Sequence, residues 1–214
     1  MAAGPAAAPG LVRRQFTLAP GSHLAGTASS GGELWFVISG GGRLATGGLE
    51  ATVGRDTGVW IPPGLGYRLS ADEDLLLDAV ALPDPAGQAD PGGQAADPPR
   101  VSVLGDCEVE QTGDRRFRVL LGPGRGCTAA TQFVGEIPPG RAPEHRHPYD
   151  ETVLILRGQG VAHAGGTDHP LAPGARVHLP RGLPHCLENT GPATLMVLGV
   201  FHPGGSPAAK EATR

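Results

Sequence analysis

Residues 140–158 read Gly140-Arg-Ala-Pro-Glu-His-Arg-His-Pro-Tyr-Asp-Glu-Thr-Val-Leu-Ile-Leu-Arg-Gly158, and this stretch decides the fold. His145, His147 and Glu151 are two and four residues apart. In an extended chain their side chains therefore point to the same side. The apolar run between Glu151 and Gly158 predicts a buried strand. The stretch thus offers two imidazoles and one carboxylate to a single cavity.

A second stretch supplies a further histidine after a turn. Residues 174–185 read Gly174-Ala-Arg-Val-His-Leu-Pro-Arg-Gly-Leu-Pro-His185. The turn at Pro180-Arg-Gly182 is expected to send His185 back toward the first stretch from a neighbouring strand. Three imidazoles and one carboxylate suit one divalent transition metal such as Fe, Mn, Ni or Zn, with octahedral positions left open. The alternative is a set of hydrogen-bonded core histidines without a metal.

Together the two stretches resemble the conserved motifs of the cupin superfamily, G-x5-HxH-x3,4-E-x6-G and G-x5-PxG-x2-H-x3-N. The second motif matches throughout, and the first departs only at Gly140, which lies one residue closer to His145 than the pattern asks. The resemblance covers residues 116–203 strongly. It implies an all-β fold, the jelly-roll-like double-stranded β-helix of the cupin barrel. It also implies the metal ligands His145, His147, Glu151 and His185.

The first half of the chain repeats the second at a constant offset. Residues 33–40, Glu-Leu-Trp-Phe-Val-Ile-Ser-Gly, lie 118 positions before residues 151–158, Glu-Thr-Val-Leu-Ile-Leu-Arg-Gly. The Pro-x-Gly of the second motif recurs at Pro62 and Gly64 with the same offset of 118. One offset across both motifs predicts two copies of one barrel in tandem. The chain therefore resembles a bicupin.

The two copies differ where metal ligands would lie. Thr27, Ser29 and Tyr67 stand at the positions that correspond to the histidines, and only Glu33 is kept. Hydroxyl and phenol groups are poor ligands for a borderline metal, so we predict a metal site in the second barrel alone. The first barrel is then structural, shapes the pocket of the second barrel, or holds a separate ligand.

Five further residues are candidates for contact with a substrate: Gln132, Arg118, Tyr149, His178 and His163. Gln132 begins a strand that leads into the first motif, and it could orient a substrate or a water. Arg118 alternates with Arg116 and could bind a carboxylate, although a solvated face is favoured for both arginines. Tyr149 lies an even number of residues from His145, His147 and Glu151, so its side chain could point to the same side as the ligands. The alternative for the histidines is an ordinary position on a strand.

The resemblance specifies the metal site far better than it specifies the reaction, because one fold supports many reactions. The set of three histidines and one glutamate resembles that of cupin dioxygenases, which cleave enol or diol substrates. The leading hypothesis is therefore a metal-dependent oxidoreductase for a small organic molecule, with Glu151 as ligand and catalytic proton acceptor. Isomerases, decarboxylases and ureidoglycine-aminohydrolase-like bicupins use similar sets and stay open. Oxalate decarboxylases usually carry metal in both barrels, which argues against that group. A non-catalytic binding protein with a structural metal is the remaining alternative.

The composition of the chain limits which binding partners and which cellular compartment are expected. The chain has 214 residues, a net charge of −4, 35 glycines and 22 prolines, as expected for short strands and tight turns. Basic residues form no stripe and no apolar run approaches about 20 residues, so neither nucleic acid nor a membrane is expected as a partner. Three cysteines and no recognisable export signal favour the cytoplasm. A barrel edge offers a surface for a homodimer.

The segment boundaries follow from composition and from the repeat. Residues 83–99 carry almost no apolar side chain larger than alanine, which is typical of an exposed linker. We predict a disordered N-terminus at 1–10, a degenerate cupin barrel at 11–82, a linker at 83–100, a metal-binding cupin barrel at 101–205 and a tail at 206–214.

Overall fold

The computed structural model of the protein describes residues 10–84, 97–209 and 211–212. The predicted disordered N-terminus lies outside these ranges except for residue 10, and so do residues 85–96 of the linker predicted at 83–100. Apart from one 3-10 turn at Leu104–Asp106, the regular structure of the described residues consists of strands, which confirms the all-β prediction. No helix in this part of the chain is long and apolar enough to cross a bilayer.

The described residues divide into two compact units. One contains residues 10–55, 59–84 and 97–101, and the other contains residues 56–58, 102–209 and 211–212. The strands of the first half are β1 (Val12–Leu18), β2 (His23–Thr27), β3 (Glu33–Ser39), β4 (Gly41–Thr46), β5 (Leu49–Gly54), β6 (Thr57–Ile61), β7 (Gly66–Ala71), β8 (Leu75–Ala81) and β9 (Arg100–Val103).

The strands of the first half form two sheets, in the orders β1-β8-β3-β6-β9 and β2-β7-β4-β5. Burial alternates along β4, as expected for a strand with one face on a core. Trp35 and Leu77 from the first sheet pack with Leu44 and Leu69 from the second in one apolar cluster. Two sheets closed over one core give the first barrel-like half that the repeat predicts.

The second half is built in the same way. Its strands are β10 (Glu110–Thr112), β11 (Arg115–Leu121), β12 (Thr131–Ile137), β13 (Gly140–Arg141), β14 (His145–Arg146), β15 (Asp150–Arg157), β16 (Gly160–Ala164), β17 (Thr167–Leu171), β18 (Arg176–Leu179), β19 (His185–Asn189), β20 (Leu195–His202) and β21 (Glu211–Ala212). One sheet has the order β10-β11-β12-β20-β15-β18, and the other has the order β17-β16-β19-β14-β21, with β13 also paired to β19.

The duplication is visible in the strand register. β3 pairs with β8, and β15 pairs with β20, both antiparallel. Each pairing shifts register at one place, between Val37 and Ser39 in the first barrel and between Ile155 and Arg157 in the second. These two irregularities lie 118 residues apart, so the offset of the sequence repeat is also the offset of a β-bulge.

Two equivalent glycines explain why the repeat keeps glycine after each buried strand. A Cβ at Gly42 would collide with the carbonyl oxygen of Ser70, and a Cβ at Gly160 would collide with that of Glu188. Both pairs are again 118 residues apart. At these positions the backbones approach too closely for any side chain, so glycine is required by packing.

Candidate metal centre

Three histidine side chains meet in the second barrel. His145 on β14 and His185 on β19 are direct partners across the two strands, and His147 follows β14. One ring nitrogen from each histidine lies within 4.8 Å of the other two. Nitrogens that share one ion at about 2.1 Å lie up to about 4.2 Å apart, so small ring rotations would bring all three to a single ion. All three side chains are buried.

Backbone carbonyl groups hold the three rings in one tautomer. The Nδ1 atoms of His145, His147 and His185 lie 3.0, 3.1 and 2.8 Å from the carbonyl oxygens of Pro143, Ala209 and Leu183. A carbonyl oxygen can only accept, so each Nδ1 donates a proton and the lone pair of the neutral ring lies on Nε2. Such outer hydrogen bonds orient histidine ligands and raise their basicity. The donor set therefore fits a borderline divalent metal.

Glu151 stands beside this group at the start of the buried part of β15. Its Oε2 atom lies 3.6 Å from Nε2 of His147. Ligands at right angles around an ion are about 3.0 Å apart when each is about 2.1 Å from it, so the two groups are close to the spacing of neighbouring ligands. Among the residues that the structure describes, the compact group of metal-type side chains consists of the three histidines. The role of Glu151 as fourth ligand stays a prediction.

An aromatic stack supports the ring of His147. Tyr149 lies parallel to it, with 4.6 Å between ring centroids, and Phe201 stacks on the other side of Tyr149 at 4.0 Å. The Tyr149 hydroxyl donates to the carbonyl oxygen of Ala209 at 3.4 Å. Burial, and then the nearby Glu151 carboxylate, raise the pKa of Tyr149 above its ordinary value. Tyr149 is therefore a neutral donor that helps to fix a ligand ring.

The C-terminal segment, defined here as residues 206–209 and 211–212, passes next to the histidine group. Its Pro207 lines the cavity, and the carbonyl oxygen of Ala209 accepts from both His147 and Tyr149. Beyond it, β21 pairs antiparallel with β14, the strand that carries His145. The predicted tail at 206–214 therefore contains a strand and contributes a backbone acceptor to the centre.

The histidines lie at the wall of a cavity of about 80 Å³. A buried water needs about 10–15 Å³ of such space, so the cavity accepts only a small molecule. Apolar side chains form most of the remaining wall: Phe117, Phe133, Ile137, Val153, Leu179, Leu187 and Val197. Arg115, Arg116 and Glu136 bring charged side chains to the same cavity. The site therefore combines a metal-type donor group, charged side chains and apolar walls.

Comparison with known families agrees with this geometry. Residues 133–201, which span β12 to β20 and include all three histidines, match the cupin domain family. The C-terminal barrel is a cupin domain. A sequence comparison with curated proteins finds no significant match.

Solved structures show the same fold over both halves of the chain. The cupin 2 conserved barrel domain protein from Leptotrichia buccalis is similar with a TM-score of 0.62 and 17% identity, over 91% of this chain and 84% of that one. An oxalate decarboxylase structure from Bacillus subtilis at pH 4.6 has a TM-score of 0.75 and 15% identity, over 91% and 68%. A structure from work on the Mn(II) centres of the same enzyme has a TM-score of 0.76 and 15% identity, over 95% and 71%. Identities this low show the fold alone.

The cupin domain places one of the five predicted substrate contacts, Tyr149, at the cavity wall. The other four are described residues that lie elsewhere. Gln132 is buried on β12, and strand alternation turns it away from Phe133, which does line the cavity. His178 is exposed on β18. His163 has Nδ1 2.6 Å from Asp168 and Nε2 2.8 Å from Glu188.

Arg118 is held by an ion pair outside the cavity wall. Its Nη1 lies 3.4 Å from Oε1 of Glu136, and Nη2 of Arg116 lies 3.2 Å from Oε2 of the same carboxylate. The cationic residue that sequence reasoning missed is Arg115. It shares strand parity with Phe117, so alternation counted from Phe117 would have placed Arg115 on the inner face.

The first barrel uses its equivalent positions for a different network. The Glu33 carboxylate accepts from Nε1 of Trp35 at 2.7 Å and from the backbone N–H of Ser29 at 3.3 Å. Tyr67 lies edge-on to Trp35, with 4.6 Å between ring centroids, and Thr27 is exposed. Among the described residues of this barrel no metal-type group is formed. The three-histidine group that the described residues do form lies in the cupin domain, and a first barrel without a metal stays a prediction.

Proposed function

We propose that the cupin domain is a metal-dependent enzyme site for a small organic molecule. The single observation that carries the proposal is the convergence of three buried histidines, each with Nδ1 committed to a backbone carbonyl, at the wall of a small cavity. Histidines that only fill a core do not need to point their Nε2 atoms toward one shared position. A purely structural site would not need an adjoining cavity, whereas catalytic sites keep open positions.

His145, His147 and His185 would hold the metal, and Glu151 would complete the set on the side of β15. When bound, a divalent ion supplies Lewis acidity and a template for substrate, or for substrate and dioxygen. The Glu151 carboxylate also lies 3.6 Å from Nε2 of His147, so it is the proposed proton acceptor. The aromatic stack and the carbonyl of Ala209 hold His147 in position during turnover.

For the type of reaction, we propose a dioxygenase-type oxidoreductase. It rests on the resemblance of the three-histidine, one-glutamate set to cupin dioxygenases. The cavity of about 80 Å³ favours a compact enol or diol and disfavours a substrate with several fused rings. The second candidate is a decarboxylase, because oxalate decarboxylase structures share the fold over 91–95% of this chain. The hydrogen bonds that the Glu33 carboxylate accepts from Trp35 and Ser29 argue against two equivalent metal centres of the kind expected in oxalate decarboxylases.

Two assays on one preparation separate these reactions. The protein is reconstituted with Fe(II), Mn(II) or Ni(II), and oxygen consumption and CO₂ release are followed with small enols, diols and carboxylic acids. A dioxygenase consumes oxygen with an enol or diol. A decarboxylase releases CO₂ without net oxygen consumption. If a metal-loaded protein does neither across the panel, the binding-protein alternative replaces the enzyme. The homodimer and the cytoplasmic location remain proposals from the sequence.

A further inference from the structure

Arg115 presents a cation to the cavity without an acidic partner. It lies at the start of β11, is half-buried and lines the same cavity as the three histidines. Its Nη2 donates to the carbonyl oxygen of Leu187 at 2.9 Å. Among the described residues no carboxylate oxygen lies within 4.0 Å of its guanidinium. A guanidinium carries five N–H donors, so most of its hydrogen-bonding capacity is not used by that carbonyl.

The neighbouring arginines differ from Arg115 because both of them form ion pairs. Arg116 and Arg118, on the same strand, share the Glu136 carboxylate. Glu136 also lines the cavity, but its charge is already matched by these two cations. Burial is the largest influence on Arg115 and lowers the pKa of its guanidinium from the ordinary value, while the charge of the neighbouring Asp114 acts in the opposite direction. A half-buried cation that forms no ion pair is costly, and a bound anion would relieve that cost.

Arg115 is also placed at a useful distance from the metal centre. Leu187, which anchors its guanidinium, follows His185 by two positions on β19. Two residues along an antiparallel strand span about 6.8 Å. The cavity wall that Arg115 shares with the histidines also contains the apolar side chains of Phe117, Phe133 and Val197. A small molecule with an anionic end and a short carbon body fits this spacing.

The summed charge points to the same class of ligand. A divalent ion beside the Glu151 carboxylate leaves one net positive charge at the centre. The paired charges of Arg116 and Glu136 at the same wall cancel, and Arg115 adds a second positive charge. Anionic groups at both ends of a ligand would neutralise the cavity. Arginine binds carboxylate groups through two parallel charge-assisted hydrogen bonds, which fix orientation as well as adding affinity.

We propose that Arg115 is the specificity-determining residue of the site and binds the carboxylate of a small organic acid whose other end lies at the metal centre. This inference rests on the proposed function, because it requires a metal at the three histidines. It narrows the substrate class from small organic molecules to small organic acids with a second, metal-binding group.

The test compares two chelators that differ by one carboxylate. Acetohydroxamate and the monohydroxamate of succinic acid are titrated calorimetrically into Ni(II)-loaded protein, and the ratio of their dissociation constants is measured. In the unaltered protein the succinate derivative should bind about 10- to 100-fold more tightly, the effect of one charge-assisted bidentate pair. In Arg115→Gln the ratio should fall to about one to three. Arg176→Gln, which removes an exposed arginine of β18, is the matched control and should keep the full ratio.

Each result has a distinct meaning. If Ni(II) loads and both hydroxamates bind, but the ratio is the same in unaltered protein and in Arg115→Gln, the inference is overturned while the metal site stands. If Ni(II) does not load, the proposed function and the inference both fail. Arg115→Lys gives a second measure should Arg115→Gln fold poorly. It keeps the charge and loses the planar fork, so the ratio should fall only in part, and an undiminished ratio would contradict a bidentate contact.

Discussion

Nε2 of His147 lies 3.6 Å from Oε2 of Glu151, and both side chains are buried at the wall of one cavity. The separation exceeds that of a hydrogen bond and approaches that of two donors that share an ion. Glu33, the equivalent of Glu151 in the first barrel, instead accepts hydrogen bonds from Trp35 and Ser29. The same residue type thus stands at the same place in both barrels in two different surroundings.

Substitution of the two equivalent glutamates should separate these roles. Glu151→Gln removes the anionic donor and should weaken metal binding about 10- to 100-fold, because a neutral amide is a poorer ligand. Glu33→Gln should leave the metal dissociation constant unchanged and lower the unfolding free energy by about 1–3 kcal/mol, because a charged acceptor is lost. Competition with a coloured chelator and urea unfolding give the two quantities. Equal metal affinities in the two variants would rule out Glu151 as a ligand.

The carbonyl of Ala209 makes metal affinity depend on the C-terminal segment. A chain that ends at Gly205 keeps the reciprocal bonds between Thr131 and Gly205 but loses the acceptor for His147. We expect its metal affinity to fall about 10- to 100-fold, the usual effect of losing an outer hydrogen bond to a histidine ligand. Thermal unfolding of the metal-free chain serves as the control for folding. An unaltered metal dissociation constant would show that His147 does not need this support.

A glycine under the aromatic wall sets the shape of the cavity. A Cβ at Gly199 would collide with the ring of Phe133, which lines the cavity. Gly199→Ala should therefore lower the unfolding free energy by about 1–3 kcal/mol through overpacking. Gly105→Ala, at a site with no atom within 4 Å of the new Cβ, should stay within about 1 kcal/mol of the unaltered protein. Urea unfolding of the two variants compares them directly, and equal effects would refute the contact.

The phenol of Tyr67 in the first barrel should make the stability of the protein depend on pH at high pH. Burial, and then the nearby Glu33 carboxylate, raise the pKa of Tyr67 above its ordinary value of 10.0. The folded state therefore holds the phenol proton more tightly than the unfolded chain. This contribution to stability is complete below pH about 10 and is lost as pH rises toward the folded-state pKa.

The corresponding experiment is urea unfolding of the protein and of Tyr67→Phe between pH 8 and pH 11. The stability advantage of the unaltered protein should shrink above pH about 10, by less than about 1.4 kcal/mol per pH unit because the ring is only partly buried. An advantage that stays constant over this range would show that the Tyr67 pKa is not raised.

The sequence predicts that the three histidines come together because the pattern that indicates it is local. Side-chain alternation places His145, His147 and Glu151 on one side of the chain, and the Pro180–Gly182 turn precedes His185. The offset of 118 residues predicts the second barrel and, with it, the shared bulge. These features follow from strand period, turn chemistry and repetition, which can all be read along the chain.

The parts that the sequence did not predict depend on long-range backbone contacts. Residues 206–214 carry no alternating apolar pattern, and β21 joins β14 through main-chain pairing that leaves no mark in residue type. Arg115 was missed because three consecutive polar or charged residues precede Phe117 and obscure the inner face of the strand. Its interaction with Leu187 joins positions 72 residues apart.

Metal content per chain decides whether the three histidines hold an ion. The protein and a His145→Ala, His147→Ala variant are reconstituted with Fe(II), Mn(II), Ni(II) or Zn(II), freed of loose metal and analysed by plasma mass spectrometry, with circular dichroism as the check on folding. We expect close to one tightly held ion per chain in the unaltered protein and almost none in a variant that keeps its β spectrum. Retention of a full equivalent by the folded variant, or no tight binding by the unaltered protein with any of these metals, would overturn the metal site.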